Sequence, residues 1–208
     1  MLNDFTIFLW LLKLGVFINL YFLANTYTLS SSMVDTHILV PARILFAVSA
    51  YRCLFPVQYK DNVVFHDSLF SSIFLTRLLA TFSEVAFIYQ FSHVIRLLNI
   101  EHTGWVNVLS WAMILQVVIS QRFVWGAILT RQLAFYYYEE LGWANIFAIN
   151  TLTSLYLYLT IDMLGDAEIL LRLNLLFGSV YLPWQFIHLA FCVRMPSRVI
   201  RWLNRGQE

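Results

Sequence analysis

Long apolar segments separated by short polar links follow one another along the whole chain, and they predict membrane-crossing helices. A helix needs about 20 mostly apolar residues to cross the roughly 30 Å hydrocarbon layer of a bilayer. The pattern therefore predicts an all-α, polytopic integral membrane protein with a single transmembrane domain. Its six spans are expected at residues 5–29, 38–57, 69–98, 105–130, 142–164 and 169–193.

The end of the chain has a different pattern, in which arginines recur at helical spacing. Arg194, Arg198, Arg201 and Arg205 lie four, three and four residues apart, which places them on one stripe of a helix. The residues after Pro196 therefore predict a short amphipathic interfacial helix at 196–205. Its arginine edge is expected to contact the anionic headgroups of membrane lipids.

Basic residues are unevenly divided between the predicted links, and this asymmetry predicts the orientation. Lys60, Arg131 and the C-terminal arginines fall on one side of a six-span topology, together with both termini. Cytoplasmic links carry the excess of lysine and arginine. Both termini are therefore expected on the cytoplasmic side, or on the equivalent side of an organelle membrane.

The composition agrees with a membrane location and excludes several classes of function. The chain is 60% hydrophobic and 12% charged, whereas soluble domains are about 45–50% apolar and about 25% charged. No basic region could hold a nucleic acid backbone. No zinc-type spacing of cysteine or histidine occurs, so no metal or cofactor is expected. Cys53 and Cys192 are interpreted as core residues rather than as a disulfide.

The third predicted span contains the main candidate site, Arg77 and Glu84. Charges inside a spanning helix are rare because each raises the free energy of insertion by about 2.5 kcal/mol or more. Seven residues are almost two helical turns, so the two side chains share a face, roughly 10 Å apart along the axis. Both are candidate catalytic residues, with Glu84 as a deep proton acceptor.

Other polar residues are expected at the inner level of the membrane, where arginine outnumbers acid. They suggest a polar cavity that opens to the inner side and receives an anionic head. The candidate substrate-binding residues are Arg52, Gln121, Arg122, Asn145 and His188. In the alternative interpretation, Arg77, Glu84 and a third polar partner form a buried network that only fixes helix packing.

Histidine and nucleophile chemistry find less support in the pattern. His93 is expected near the outer side and His188 near the inner side, so they cannot share a haem. His93 also points away from Arg77 and Glu84 and is interpreted as an interface residue. No GxSxG elbow is present. The two halves of three spans show no evident repeated motif, which counts against an inverted-repeat transporter.

Three functions remain open, and the sequence does not decide whether the protein is an enzyme. The first is a membrane-embedded protein that binds or modifies a lipid-like molecule with an anionic head. The second is a non-catalytic subunit of a larger membrane complex, suggested by short links and 17% aromatic residues, with other membrane subunits as partners. The third is a small proton-coupled transporter or channel that uses Arg77 and Glu84 as a relay.

One segment resembles a known family. Residues Leu115–Leu129, LQVVISQRFVWGAIL, are similar to one helix of the six-span 3-hydroxyacyl-CoA dehydratases. That family uses a tyrosine and a glutamate on a helix marked by Tyr and Pro. Trp143–Glu168 offers no counterpart to that pair, so the resemblance assigns no residue here.

Overall fold

The computed structural model describes residues 6–29, 34–58, 63–132, 134–161 and 166–205, and for 191–205 it describes the backbone. In this part of the chain, the protein is helical apart from one short antiparallel ladder. Val57–Gln58 (β1) pairs with Val63–Val64 (β2), with Val57 opposite Val64. The helices are α1 Thr6–Thr28, α2 Thr36–Leu54, α3 Ile73–Leu98, α4 Gly104–Thr130, α5 Ala134–Thr160 and α6 Asp166–Arg205.

Four of these helices, α1 to α4, are long and apolar enough to cross a membrane by length and composition. This finding is compatible with a multi-pass membrane protein. The fifth and sixth crossings stay predictions, because α5 begins with a polar, tyrosine-rich turn and α6 contains several charges.

Three predicted boundaries differ from the structure. Helix α5 begins at Ala134, so most of the predicted link at 131–141 is helical. Tyr136 and Glu139, which lie in this additional first part of α5, are both buried, and their burial agrees with the earlier beginning of the helix. The third span begins with a single 3-10 turn, Leu69–Ser71, before α3 proper. Helix α6 continues through Pro196, so the predicted separate helix at 196–205 is part of α6. The side chains of its arginines lie outside the described residues.

The chain divides into two compact units, residues 1–94 and 95–208. In the first unit, α1 and α2 pack side by side. Arg43 on α2 donates from Nη2 to the carbonyl of Thr26 at 2.8 Å, and its guanidinium lies 4.3 Å from the ring centre of Tyr27. The half-buried thiol of Cys53 is free, and it lies where a Cβ on Gly15 would approach Sγ to 3.0 Å.

In the second unit, α5 packs against both α4 and α6. Glycines mark the closest approaches. A Cβ on Gly142 would lie 2.0 Å from Oγ of Ser120 on α4, and a Cβ on Gly178 would lie 2.0 Å from Oγ1 of Thr151 on α5. Small residues at such crossings let helix backbones approach closely.

The polar residues of α5 divide between its two sides. Asn150, Thr153 and Ser154 are buried, whereas Asn145 is exposed. Ser154 accepts a long hydrogen bond of 3.4 Å from Nδ2 of Asn174 on α6. The buried side of α5 therefore carries polar groups into the interior of the unit.

Candidate functional site

The charged pair of α3 is formed as a direct, two-pronged ion pair. Arg77 donates from Nη2 to Oε2 of Glu84 at 3.0 Å and from Nη1 to Oε1 at 3.3 Å. The two extended side chains bridge almost two helical turns, so the prediction that they share a face is confirmed by their contact. Arg77 is 3% exposed and Glu84 is 19% exposed.

The two ends of the ion pair differ in their exposure to the surroundings. The guanidinium is buried, and the carboxylate forms the more accessible end. Charge-assisted, bidentate arginine–carboxylate bonds are among the stronger hydrogen bonds in proteins. A buried charge without its partner is costly, so removal of either member should destabilise the packing of α3. The pair can therefore serve both as a packing element and as an anion-binding guanidinium that is occupied by an internal carboxylate.

The other predicted substrate-binding residues are divided between the two units. Arg52 is half-buried on α2 in the first unit. In the second unit, Gln121 is buried on α4, whereas Arg122 and Asn145 lie on exposed sides of α4 and α5. Arg122 and Asn145 therefore do not line the buried interior of their unit. His188 on α6 contacts the carboxylate of Glu140, a residue in the predicted link between the fourth and fifth spans.

A second cluster, which sequence reasoning missed, lies where α2 begins. Asp35 caps α2, because its Oδ1 accepts the backbone N–H of His37 at 2.8 Å. Its Oδ2 lies 2.7 Å from Nε2 of His93 on α3. The Nδ1 atom of His37 lies 2.8 Å from the hydroxyl of Tyr89, and the rings of the two histidines are 5.0 Å apart.

The hydrogen bonds to Asp35 also change its acidity. The bond with His93 lowers the pKa of the Asp35 carboxyl below its usual value, and the bond from the backbone N–H of His37 lowers it further. Partial desolvation opposes this effect. Asp35 is therefore ionised throughout the physiological range, as a helix-capping carboxylate requires.

A glutamine completes this contact between helices. Gln90 donates from Nε2 to the carbonyl of Ile38 in the first turn of α2, at 2.8 Å. Residues of α3 thus hold both the cap and the first turn of α2. No spacing rule could have predicted these contacts, because the partners are more than fifty residues apart in the chain. The interpretation of His93 as an interface residue agrees with its position.

The second unit contains a comparable cluster between α5 and α6. Gln185 donates from Nε2 to the backbone carbonyl of Glu140 at 2.9 Å and to its Oε2 at 2.8 Å. Nε2 of His188 lies 3.2 Å from Oε1 of Glu140. The predicted span bounds place Glu140 in the link between the fourth and fifth spans. The structure places it on α5 with a 19% exposed side chain, because the helix begins earlier than predicted.

The helical fold, the ion pair of α3 and the two polar clusters around Asp35 and Glu140 are compatible with a multi-pass membrane protein. Within the described ranges, no three His, Cys, Asp or Glu side chains are grouped so that they could hold a metal ion. No family model, no curated protein and no solved structure matches the chain. The resemblance of residues 115–129 to one dehydratase helix therefore defines no family.

Proposed function

We propose that this protein crosses the membrane six times and binds a lipid-like molecule with an anionic head at the Arg77–Glu84 pair. Both termini lie on the cytoplasmic or equivalent side in this proposal. The C-terminal arginine stripe, Arg194 to Arg205, then faces anionic headgroups on that side.

The observation that carries the proposal is a two-pronged ion pair on a helix apolar enough to span a membrane. An ionisable side chain within a span is a functional-site hypothesis by default, because its free-energy cost is high. The planar guanidinium of arginine matches carboxylate and phosphate groups, so the group that now binds Glu84 is also suited to a ligand anion.

A ligand anion would compete with Glu84 for Arg77. The carboxylate end of the pair is the more exposed one, so a ligand that approaches it meets Glu84 first. Binding therefore requires Glu84 to move aside, because two anions at one guanidinium repel each other. This competition makes Glu84 the residue whose neutralisation should change ligand binding most.

The test is native mass spectrometry of the protein extracted gently from its own membrane, with three forms compared. These are the wild type, Glu84→Gln, and the double variant Arg77→Gln/Glu84→Gln. The double variant removes the guanidinium and leaves no unpaired buried charge, so it serves as the matched control for helix packing.

The proposal expects a bound lipid-like anion on the wild type, at least as much on Glu84→Gln, and a loss of that ligand on the double variant Arg77→Gln/Glu84→Gln with folding retained. Equal ligand on all three forms would show that the pair only supports packing. A stable assembly of the wild type with unrelated subunits and no bound lipid would favour a subunit of a larger complex instead.

A further inference from the structure

Helix α4 contains a single charged side chain, and that side chain is exposed. Arg122 is the only Asp, Glu, Lys or Arg in Gly104–Thr130, a helix long and apolar enough to cross a membrane. The preceding residue, Gln121, is buried, whereas Arg122 is exposed. In the proposed topology, the exposed side of α4 faces the hydrocarbon of the bilayer, where a charged side chain raises the free energy of insertion.

Arg122 belongs to a stripe of exposed and otherwise apolar residues that runs along α4. These residues follow one another at intervals of three, four or seven positions, which is the spacing of contacts between two helices that pack side by side. We call them the α4 stripe. Its members are Val108, Trp111, Leu115, Val118, Arg122 and Leu129. The stripe therefore has the pattern of a helix-packing surface with one positive charge.

The position of Arg122 along the helix hinders its charge from reaching the lipid headgroups. Arg122 lies eight residues before Thr130, so the nearer end of α4 is about 12 Å away at 1.5 Å per residue. The Cα–Cβ bond of a helical residue tilts toward the N-terminus of the helix. For Arg122, this direction leads away from the nearer end and further into the span. The side chain must therefore bend against its own Cα–Cβ direction to reach a headgroup.

Lys13, an exposed cation of α1, differs from Arg122 in this respect. It lies seven residues after Thr6, and its Nζ atom lies 4.5 Å from the ring centre of Trp10, which is three residues nearer to the N-terminal end of the helix. Its ammonium group therefore follows the Cα–Cβ direction toward the nearer end, as snorkelling requires. Arg122 makes no hydrogen bond, ion pair or ring contact with any residue that the structure describes. A partner for its charge must therefore come from outside this part of the chain.

We propose that the α4 stripe is a docking surface for a transmembrane helix of a partner protein that carries an aspartate or glutamate at the level of Arg122. The guanidinium would form charge-assisted hydrogen bonds with that carboxylate, and the low dielectric constant of the bilayer strengthens such a pair. A second copy of this chain does not fit. Two copies that insert in the same direction and meet through the same stripe bring both Arg122 side chains to one depth, where like charges repel.

The docking surface requires that α4 crosses the membrane, and it does not depend on the anion at Arg77. Photo-crosslinking of the full chain in its own membrane tests it. A photoreactive diazirine amino acid replaces Leu115 of the stripe or, as the matched control, Leu152 of α5. Both side chains are 63% exposed. Leu115 should crosslink to a protein and Leu152 to lipid alone. The crosslinked peptide, sequenced by mass spectrometry, should belong to an apolar segment that contains an aspartate or glutamate.

Charge variants then test whether Arg122 selects the partner. Arg122→Gln should lower the yield of the protein crosslink at least about tenfold, because it leaves the partner's carboxylate unpaired. Arg122→Lys should retain most of the yield. Lys13→Gln is the matched control, since it removes an exposed cation from another span, and it should leave the yield unchanged. Arg122→Glu should abolish the crosslink, and replacement of the partner's carboxylate by arginine should restore it.

Lipid adducts alone at Leu115, a crosslink to a second copy of the chain, or a protein crosslink that is insensitive to Arg122 would each overturn the docking surface. The first result would mean that the stripe faces lipid and that Arg122 binds headgroups. Leu115→Cys in a chain with Cys53→Ala and Cys192→Ala checks the topology. Its reaction with a membrane-impermeant maleimide would overturn the crossing of α4 and the docking surface together. Ligand binding at Arg77 is tested separately by native mass spectrometry.

Discussion

One of the close helix contacts in the second unit gives a quantitative prediction for Gly178→Ala. A Cβ at this position of α6 would lie 2.0 Å from Oγ1 of Thr151 and 3.0 Å from both its Cβ and Cγ2. Rotation about χ1 of Thr151 does not remove the close approach, because the Cβ atom of Thr151, which that rotation leaves in place, would itself lie 3.0 Å from the new Cβ. Oγ1 also donates to the carbonyl of Phe147 at 2.7 Å, which further fixes the side chain.

The expected cost follows from two opposing effects. Alanine favours a helix over glycine by about 1 kcal/mol. Overpacking of a close contact typically costs about 1–3 kcal/mol. Gly126→Ala is the matched control, since its Cβ would meet the ring of Phe135 at 3.4 Å, an ordinary contact. Gly178→Ala should therefore be less stable than Gly126→Ala by about 1–3 kcal/mol, because only it adds overpacking.

Reversible unfolding in mixed bicelles at increasing SDS, followed by tryptophan fluorescence, measures this difference. Thr151→Ala in the Gly178→Ala background should recover part of the loss, since it removes Oγ1 and Cγ2. Unfolding free energies of Gly178→Ala and Gly126→Ala within about 0.5 kcal/mol of each other would refute the reasoning, because surface-like substitutions fall in that range.

Three further predictions use the same unfolding assay. Asp35→Asn should lower stability at neutral pH. Because folding lowers the pKa of Asp35, its carboxylate stabilises the folded protein fully above about pH 4. This stabilisation is lost as the pH falls through the pKa of Asp35 in the folded protein, so the unfolding free energies of the wild type and Asp35→Asn should become equal in acid. A difference in unfolding free energy between the two proteins that stays unchanged down to about pH 2.5 would contradict this prediction. Arg77→Gln and Glu84→Gln should each cost about 3 kcal/mol, and the double variant less than their sum by at least about 1 kcal/mol; additive costs would mean that the pair is not coupled. Gly142→Ala should be rescued by Ser120→Ala, whose removed Oγ is the atom in conflict, and absence of rescue would place the conflict elsewhere.

The apolar pattern of the sequence was sufficient to predict most of the helices. The first four helices lie within four residues of their predicted bounds, because the length of an apolar segment directly reflects the thickness of a membrane. The shared face of Arg77 and Glu84 followed from helical periodicity alone, since both residues lie on one element.

Predictions failed where the determining contact came from another helix. The predicted span bounds placed Glu140 in a link, yet α5 includes this residue, and Gln185 and His188 bind its carboxylate. The cap at Asp35 was equally hidden, because its partner His93 lies 58 residues away. Local sequence carries no information about such distances.

The sequence by itself determined the helical character of the protein, the apolar lengths of its helices and the spacing of charges along each one. These properties depend on neighbours within a few turns of the same helix. Only the tertiary structure decided that Gln90 binds the carbonyl of Ile38 and that Gln185 binds that of Glu140, because each carbonyl belongs to another helix. It also decided that Arg77 and Glu84 form a direct ion pair. An ion pair depends on the side-chain conformations, which the seven-residue spacing in the sequence does not determine.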